Sequence, residues 1–282
     1  MLYEFGGYTM YASCGAGFSG DISIYRLRSN DRLTWTLSPS TPVLTRSASG
    51  WDQRAVETPT VVWFGGRYHM FYTGYPGDFN DTKSYRIGHA TSLDGIAWTR
   101  DPAFLGAPSD PGNPTPTLDF RQWVVAEPGA VVVGGSLHLY FSAIGADAGT
   151  GTVMQTIGLM TTTDGANWTA PMMVLRPDQT LYPRSSFYGY STPAACVRNG
   201  QVTLFFSVVQ DNPWGQVGIA NAVSANGVSA WSMNTLPLIH RDASWRSREA
   251  LAPAPLVDPA GTHLWFAGND GQHLGIGYVK LA

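Results

Sequence analysis

A chain of 282 residues, 44% hydrophobic and 13% charged, is long and apolar enough to bury a core, which excludes a disordered polymer. Seventeen basic against 20 acidic residues give a net charge of −3, so no basic excess draws phosphate and nucleic acid is not an expected partner. No apolar run approaches the roughly 20 residues of a membrane span, and the opening MLYEFGGYTMYAS lacks the basic start and apolar centre of a secretory leader. The expectation is no membrane partner and, by default, a cytoplasmic location. Cys14 and Cys196 are far apart and read as buried free thiols; no metal-ligand spacing occurs, and no cofactor is expected. The 32 Gly and 19 Pro, with 10 Trp, 13 Tyr and 12 Phe, indicate many turns between short aromatic strands.

In chain order the sequence repeats itself. The first unit, near residues 1–46, holds an aromatic strand, Tyr8-Thr9-Met10-Tyr11, then Ile22-Ser23-Ile24-Tyr25, then a turn running from Asn30 to Trp35-Thr36. It has no proline-led strand and is read as starting inside its second strand. The second unit, 47–110, is complete. A proline-led apolar strand (Glu57-Thr58-Pro59-Thr60-Val61-Val62) precedes an aromatic strand after a Gly turn (Gly66-Arg67-Tyr68-His69-Met70-Phe71-Tyr72). A strand with small residues follows (Arg86-Ile87-Gly88-His89-Ala90), then Asp94-Gly95-Ile96-Ala97-Trp98-Thr99.

The third unit, 111–180, carries Ala126-Glu127-Pro128, Ser136-Leu137-His138-Leu139-Tyr140-Phe141, Thr156-Ile157-Gly158 and Asp164-Gly165-Ala166-Asn167-Trp168. The fourth, 181–240, carries Ser191-Thr192-Pro193, Leu204-Phe205-Phe206, Val217-Gly218-Ile219 and Asn226-Gly227 leading to Trp231. The last, 241–282, carries Leu251-Ala252-Pro253, His263-Leu264-Trp265-Phe266 and Leu274-Gly275-Ile276-Gly277, and lacks the Trp strand. The tryptophans are 63, 70 and 63 residues apart (98−35, 168−98, 231−168). No run has a helical period of 3.6 residues. Five units of four strands predict one all-β domain over residues 1–282: a five-bladed β-propeller with four-stranded antiparallel blades, incomplete in the first and last. Trp35, Trp98, Trp168 and Trp231 are expected on outer strands, packing between blades.

The phrase Pro, apolar run, Gly turn, aromatic strand, then Ser-x-Asp-Gly-x-x-Trp resembles the five-bladed glycoside hydrolases: arabinanases, β-xylosidases, arabinofuranosidases, β-fructosidases and related phosphorylases. The stretch from Trp51-Asp52-Gln53-Arg54 through Tyr72-Thr73-Gly74 is especially similar to their blades. The resemblance implies a carbohydrate partner and an active site at the mouth of a central channel, with carboxylates beside the Pro of inner strands. Cleavage of a glycosidic bond needs one acid to protonate the leaving oxygen and a second carboxylate as base or nucleophile.

Placed on that pattern, Glu127 stands immediately before Pro128, Glu57 two before Pro59 and Glu249 four before Pro253; these are the candidate catalytic residues. Glu127, flanked by apolar residues, is expected to be the central carboxylate and proton donor, with Glu57 as base or orienting partner. Asp52, Arg54, Trp123, Arg184 and Tyr188 are candidate substrate contacts, and no metal is expected. The Asp that the family carries before Pro in its first blade has no counterpart, and Ser191-Thr192-Pro193 replaces an acidic site in the fourth. The site is either rebuilt around Glu57, Glu127 and Glu249, or hydrolysis is lost. Three readings therefore stand: a glycoside hydrolase, a non-catalytic carbohydrate-binding propeller, or a hydrolase of another class, such as an esterase. His69, His138 and His263 read as structural, and His89 as a residue approaching the channel.

Overall fold

The computed structural model describes residues 1–15, 21–77, 85–102, 104–106, 119–146, 151–183, 185–234 and 236–281. All helical and strand elements among them are β-strands, in keeping with the period-two patterning. No helix among the described residues is long and apolar enough to cross a membrane. The chain divides into two compact units, Met1–Ala130 with Ala143–Gly151, and Val131–Ser142 with Thr152–Ala282.

In the first unit, β1 (Leu2–Glu4), β2 (Gly7–Cys14), β3 (Ser23–Ser29) and β4 (Thr36–Leu37) pair in that order. A second sheet follows: β5 (Ala55–Phe64), β6 (Arg67–Tyr75), β7 (Arg86–Ser92) and β8 (Thr99–Arg100), with β9 (Leu105–Gly106) also on β7. The strands β10 (Val124–Val133) and β11 (Ser136–Ala146) run through both units.

The second unit continues with β12 (Val153–Thr162), β13 (Met172–Leu175), β14 (Phe187–Arg198), β15 (Gln201–Gln210), β16 (Gly215–Ser224), β17 (Ser232–Met233), β18 (Ile239–His240), β19 (Glu249–Asp258), β20 (Gly261–Asn269) and β21 (Leu274–Leu281). The order of this third sheet is β10-β11-β12-β14-β15-β16-β19-β20-β21; β13 lies on β12, and β17 and β18 lie on β16.

Each proline-led strand thus opens an antiparallel run, and consecutive runs touch through single parallel pairs. These are Ile22 with Ala55 in the first unit, and Gln155 with Gly189 and Val217 with Ala250 in the second. The first run differs from expectation. A three-residue strand, β1, precedes the aromatic strand and turns back at Phe5 and Gly6, both at positive φ. Its Glu4 carboxylate accepts bonds from Thr9 Oγ1 and Tyr68 Oη, each at 2.7 Å. It therefore ties the first sheet to the second. Among the described residues the last run has no outer strand on β21, as expected.

The repeated Ser-x-Asp-Gly-x-x-Trp signature folds as one device. Ser92 Oγ accepts the backbone N–H groups of Asp94 and Gly95, and Asp94 Oδ1 accepts those of Ile96 and Ala97 at 2.8 and 2.9 Å. Ser29 with Asp31, Thr162 with Asp164 and Ser224 with Asn226 repeat it. The backbone donors stabilise the ionised carboxylate and hold Asp31, Asp94 and Asp164 below the usual carboxylate range.

Each tryptophan stands just ahead of its outer strand rather than within it, and is half-buried. Trp98 meets Tyr11 edge-on at 5.9 Å while Tyr11 Oη donates to the Gly95 carbonyl. Trp231 meets Tyr140 at 6.1 Å while Tyr140 Oη donates to the Gly227 carbonyl. Each pair joins neighbouring runs inside one unit.

Two smaller expectations change. Cys196 is buried but Cys14 is exposed. His89 is buried, bonded through Nε2 to His69 Nδ1 at 2.9 Å and through Nδ1 to Asp101 at 2.6 Å; it is packed between β-strand aromatics rather than open to a channel. His69, His138 and His263 are buried as expected.

Gly227 is at φ +70°, and an added Cβ would lie 2.6 Å from Tyr140 Oη and 2.9 Å from Val202 Cγ2. Gly200, at φ +75°, has open space around that position. Gly200→Ala is expected to cost about 1 kcal/mol of backbone strain, and Gly227→Ala about 2–4 kcal/mol because overpacking adds to it. Urea unfolding of the two variants measures the difference; equal losses would remove the tyrosine–turn contact as a structural constraint.

Candidate active site

Proline cannot donate to a sheet, so each inner strand has to leave its ladder where proline occurs. The pairing jumps between Glu57 and Thr60, Ser191 and Ala194, and Leu251 and Ala254. The residue before each proline lies in the left-handed region: Thr58 at φ 49°, Glu127 at 53°, Thr192 at 46° and Ala252 at 52°. Such a conformation is costly for a residue with a side chain.

A hydroxyl on the second strand of the preceding run meets each one. Ser13 Oγ accepts the N–H of Thr58 at 3.4 Å, and Thr73 Oγ1 that of Glu127 at 2.7 Å. In the second unit, Ser142 Oγ accepts the N–H of Thr192 at 3.0 Å and Ser207 Oγ that of Ala252 at 3.1 Å.

In the first unit this brings Glu57 and Glu127 within electrostatic reach of one another. Both are half-buried. Burial and then the Glu127 charge push the Glu57 carboxyl up from 4.5 to about 7. Tyr75 stands beside them: burial and then the Glu57 carboxyl push its phenol up, with Arg54 acting the other way. Tyr75 stacks on Tyr85 at 4.4 Å, and the two sit with Ala55, Val124 and Ala126 in one apolar cluster against which Trp123 packs. The arrangement is two half-buried carboxylates beside an apolar cluster, and they resist being charged together. It can hold one proton near neutral pH.

Of the other expected residues, Arg54 lies near Tyr75, while Glu249 and Tyr188 belong to the second unit. Asp52 is 2% exposed, with its carboxylate 3.3 Å from Tyr72 Oη and 3.4 Å from Arg100 Nε. Its neighbour Trp51 stacks on Tyr72 and fills the space over Gly74 and Gly88. Asp52 thus anchors the loop that leads into β5. Arg54 is half-buried, and its guanidinium lies 3.9 Å from Asp21. Glu249 belongs to the second unit, opens β19 and accepts a bond from Asn269 Nδ2 at 2.9 Å. Leu251, not Glu249, has the place in its strand that Glu57 has in β5. Tyr188 is half-buried in β14 of the second unit. Arg184 lies outside the described residues. No group of three or more His, Cys, Asp or Glu suited to a metal ion occurs among the described residues.

Sequence reasoning passed over Thr73 and Tyr75. The signal for Thr73 was available: Ser13, Thr73, Ser142 and Ser207 each place a hydroxyl just after the aromatic residues of their strand. Tyr75 has no counterpart pattern.

The coordinates are similar to several solved structures. A thermostable family-43 glycoside hydrolase aligns with TM-score 0.75 at 13% identity, over 100% of this chain and 88% of its own. An α-L-arabinofuranosidase from Lactobacillus brevis aligns with TM-score 0.70 at 14% identity, over 99% and 89%. A Cellvibrio cellulosa α-L-arabinanase mutant aligns with TM-score 0.71 at 12% identity, over 100% and 90%. The fold is that of the β-propeller glycoside hydrolases. The likeness read from the repeated motifs is therefore borne out at the level of fold. No protein-family profile and no curated protein sequence matches the chain.

A raised carboxyl has a sign that can be checked. With a folded value of about 7 against an ordinary 4.5, the folded state keeps a proton that the unfolded chain has lost. The resulting stability is full below pH 4.5 and is lost as pH rises through 7. Relative to Glu57→Gln, the parent should lose about 1–2 kcal/mol between pH 4 and pH 8, once solvent screening of a half-exposed side chain is allowed for. Urea unfolding of both proteins at the two pH values measures it, and a pH-independent gap would mean that Glu57 titrates normally.

Proposed function

We propose that this chain is a glycoside hydrolase built as five four-stranded blades, with its reaction centre at the mouth of the channel where the inner strands begin. The observation that carries the reading is the placement of Glu57 and Glu127, both half-buried, beside one apolar cluster, where burial and the Glu127 charge push the Glu57 carboxyl up to about 7. A carboxyl that is still partly protonated near neutral pH can give its proton to a leaving glycosidic oxygen. Glu127 is then the ionised partner, acting as base on water or as nucleophile. This reverses the roles expected from the sequence, where Glu127 was the proton donor. Trp123, half-buried beside the apolar cluster, offers the aromatic surface that sugar faces pack on.

The similar structures include an α-L-arabinofuranosidase and an α-L-arabinanase, so pentofuranosides are the first substrates to try. Binding without turnover is the second reading. It is favoured by the second unit, where Ser191, Thr192, Leu251 and Ala252 replace the carboxylates of the first.

A panel of nitrophenyl α-L-arabinofuranosides, β-D-xylosides and β-fructosides tests both, with nitrophenyl esters included for the esterase alternative. Glu57→Gln should retain the fold and lose about 10²–10⁴-fold in kcat on any glycoside that turns over. The parent rate should fall as pH rises above 7. Parental turnover by Glu57→Gln would sink the assignment; saturable sugar binding with no turnover would establish the second reading.

A further inference from the structure

We infer that Thr73 is the positioning residue of the proposed site: a single buried hydroxyl, opposite Glu57 in the sheet, fixes the backbone of Glu127 and so sets one carboxylate against the other. The inference rests on the proposed function for the roles of the two carboxylates, and on geometry for the rest. Thr73 is the register partner of Glu57 across β5 and β6 and has no exposed surface. Its Oγ1 lies 2.7 Å from the Glu127 backbone nitrogen and 2.7 Å from Thr58 Oγ1. One atom therefore contacts the residue after the first carboxylate and the backbone of the second.

Glu127 needs such a partner. At φ 53° its backbone is in a region that L residues avoid, and it keeps that shape only while its surroundings hold it. An N–H buried without an acceptor carries a full desolvation penalty. Removing the hydroxyl therefore favours relaxation of Glu127 toward an extended backbone, which swings its carboxylate away from Glu57.

The second unit supplies an internal control. Ser207 is likewise fully buried, accepts the Ala252 N–H at 3.1 Å and lies 2.6 Å from Thr192 Oγ1. Neither partner there is a carboxylate. The same bond is thus structural in one unit and positions chemical groups in the other.

The test needs no substrate, so failure to find a glycoside that turns over leaves it intact. Carbon-13 NMR follows the Glu57 side-chain carboxyl through pH in the parent, Thr73→Val, Thr73→Ser and Ser207→Ala. Glu127 is the charged group that acts on this titration, and Tyr75, which feels both Glu57 and Arg54, stands beside it. Thr73→Ser keeps the hydroxyl and should match the parent. Thr73→Val is nearly isosteric and should lower the midpoint by about one unit, because the Glu127 charge moves off. Ser207→Ala should lose stability without moving the midpoint. An unchanged midpoint in Thr73→Val, or an equal shift in Ser207→Ala, overturns the role of Thr73 while leaving that of Glu57 to the activity screen. Should Thr73→Val fail to fold, Thr73→Cys, whose thiol is a poor acceptor, is read in its place against the same two outcomes.

Discussion

A hydroxyl that captures the N–H of the residue before proline is the interaction on which the rest of this structure depends. Proline breaks the inner-strand ladder, the preceding residue turns into the left-handed region, and its N–H points out of its own sheet. Ser13 and Thr73 in the first unit, and Ser142 and Ser207 in the second, receive it. Each bond links consecutive runs near the parallel pairs that set an inner strand against the third strand of the run before it, such as Val217 with Ala250, and Ile22, just ahead of β3, with Ala55. Strain of about 1–2 kcal/mol per residue is offset at each place by a bond that also aligns the runs. The position before proline is therefore rigid before any ligand arrives, which is what a group involved in proton transfer requires.

Rigidity alone does not make a site, and the chemistry lies in which residues occupy those rigid places. Thr192 and Ala252 occupy them in the second unit, Thr58 and Glu127 in the first. Glu57 adds a carboxyl one residue earlier, with an apolar wall nearby. Two carboxylates that feel each other's charge cannot both ionise freely. Burial and the Glu127 charge push the Glu57 carboxyl up, so it can hold a proton near neutral pH.

Much of the fold was legible because its devices are local. The turn Ser-x-Asp-Gly places donors and acceptors within three residues of each other, so the sequence pattern and the hydrogen bonds coincide. The proline-led strands and the missing outer strand of the last run were readable for the same reason. What could not be read depends on distant partners. Asp52 looks like a pocket residue until Arg100, 48 positions later, is found against it. Glu57 and Glu127 are separated by one place relative to their prolines, and nothing in that spacing says which is desolvated. Glu249 has the right charge and proximity to Pro253, yet it stands one alternation before the position of Glu57. The histidines show the same limit, since His69 and His89 become one hydrogen-bonded pair only when β6 and β7 align.

Among the described residues the strand β21 is paired on one side only, and its register with β20 runs unbroken from Leu274 to Leu281. Leu274 and Ile276 are exposed at 66% and 59%, and Lys280 is the strand's one charged side chain. Natural sheets blunt such borders with bulges, prolines or several charges, and this one relies on a single lysine. Such a border is where a second extended chain can add to the sheet. Concentrated solutions, high salt and long storage bring extended chains together where that lone charge is screened, and the preparation most at risk is the one made for crystals or spectroscopy.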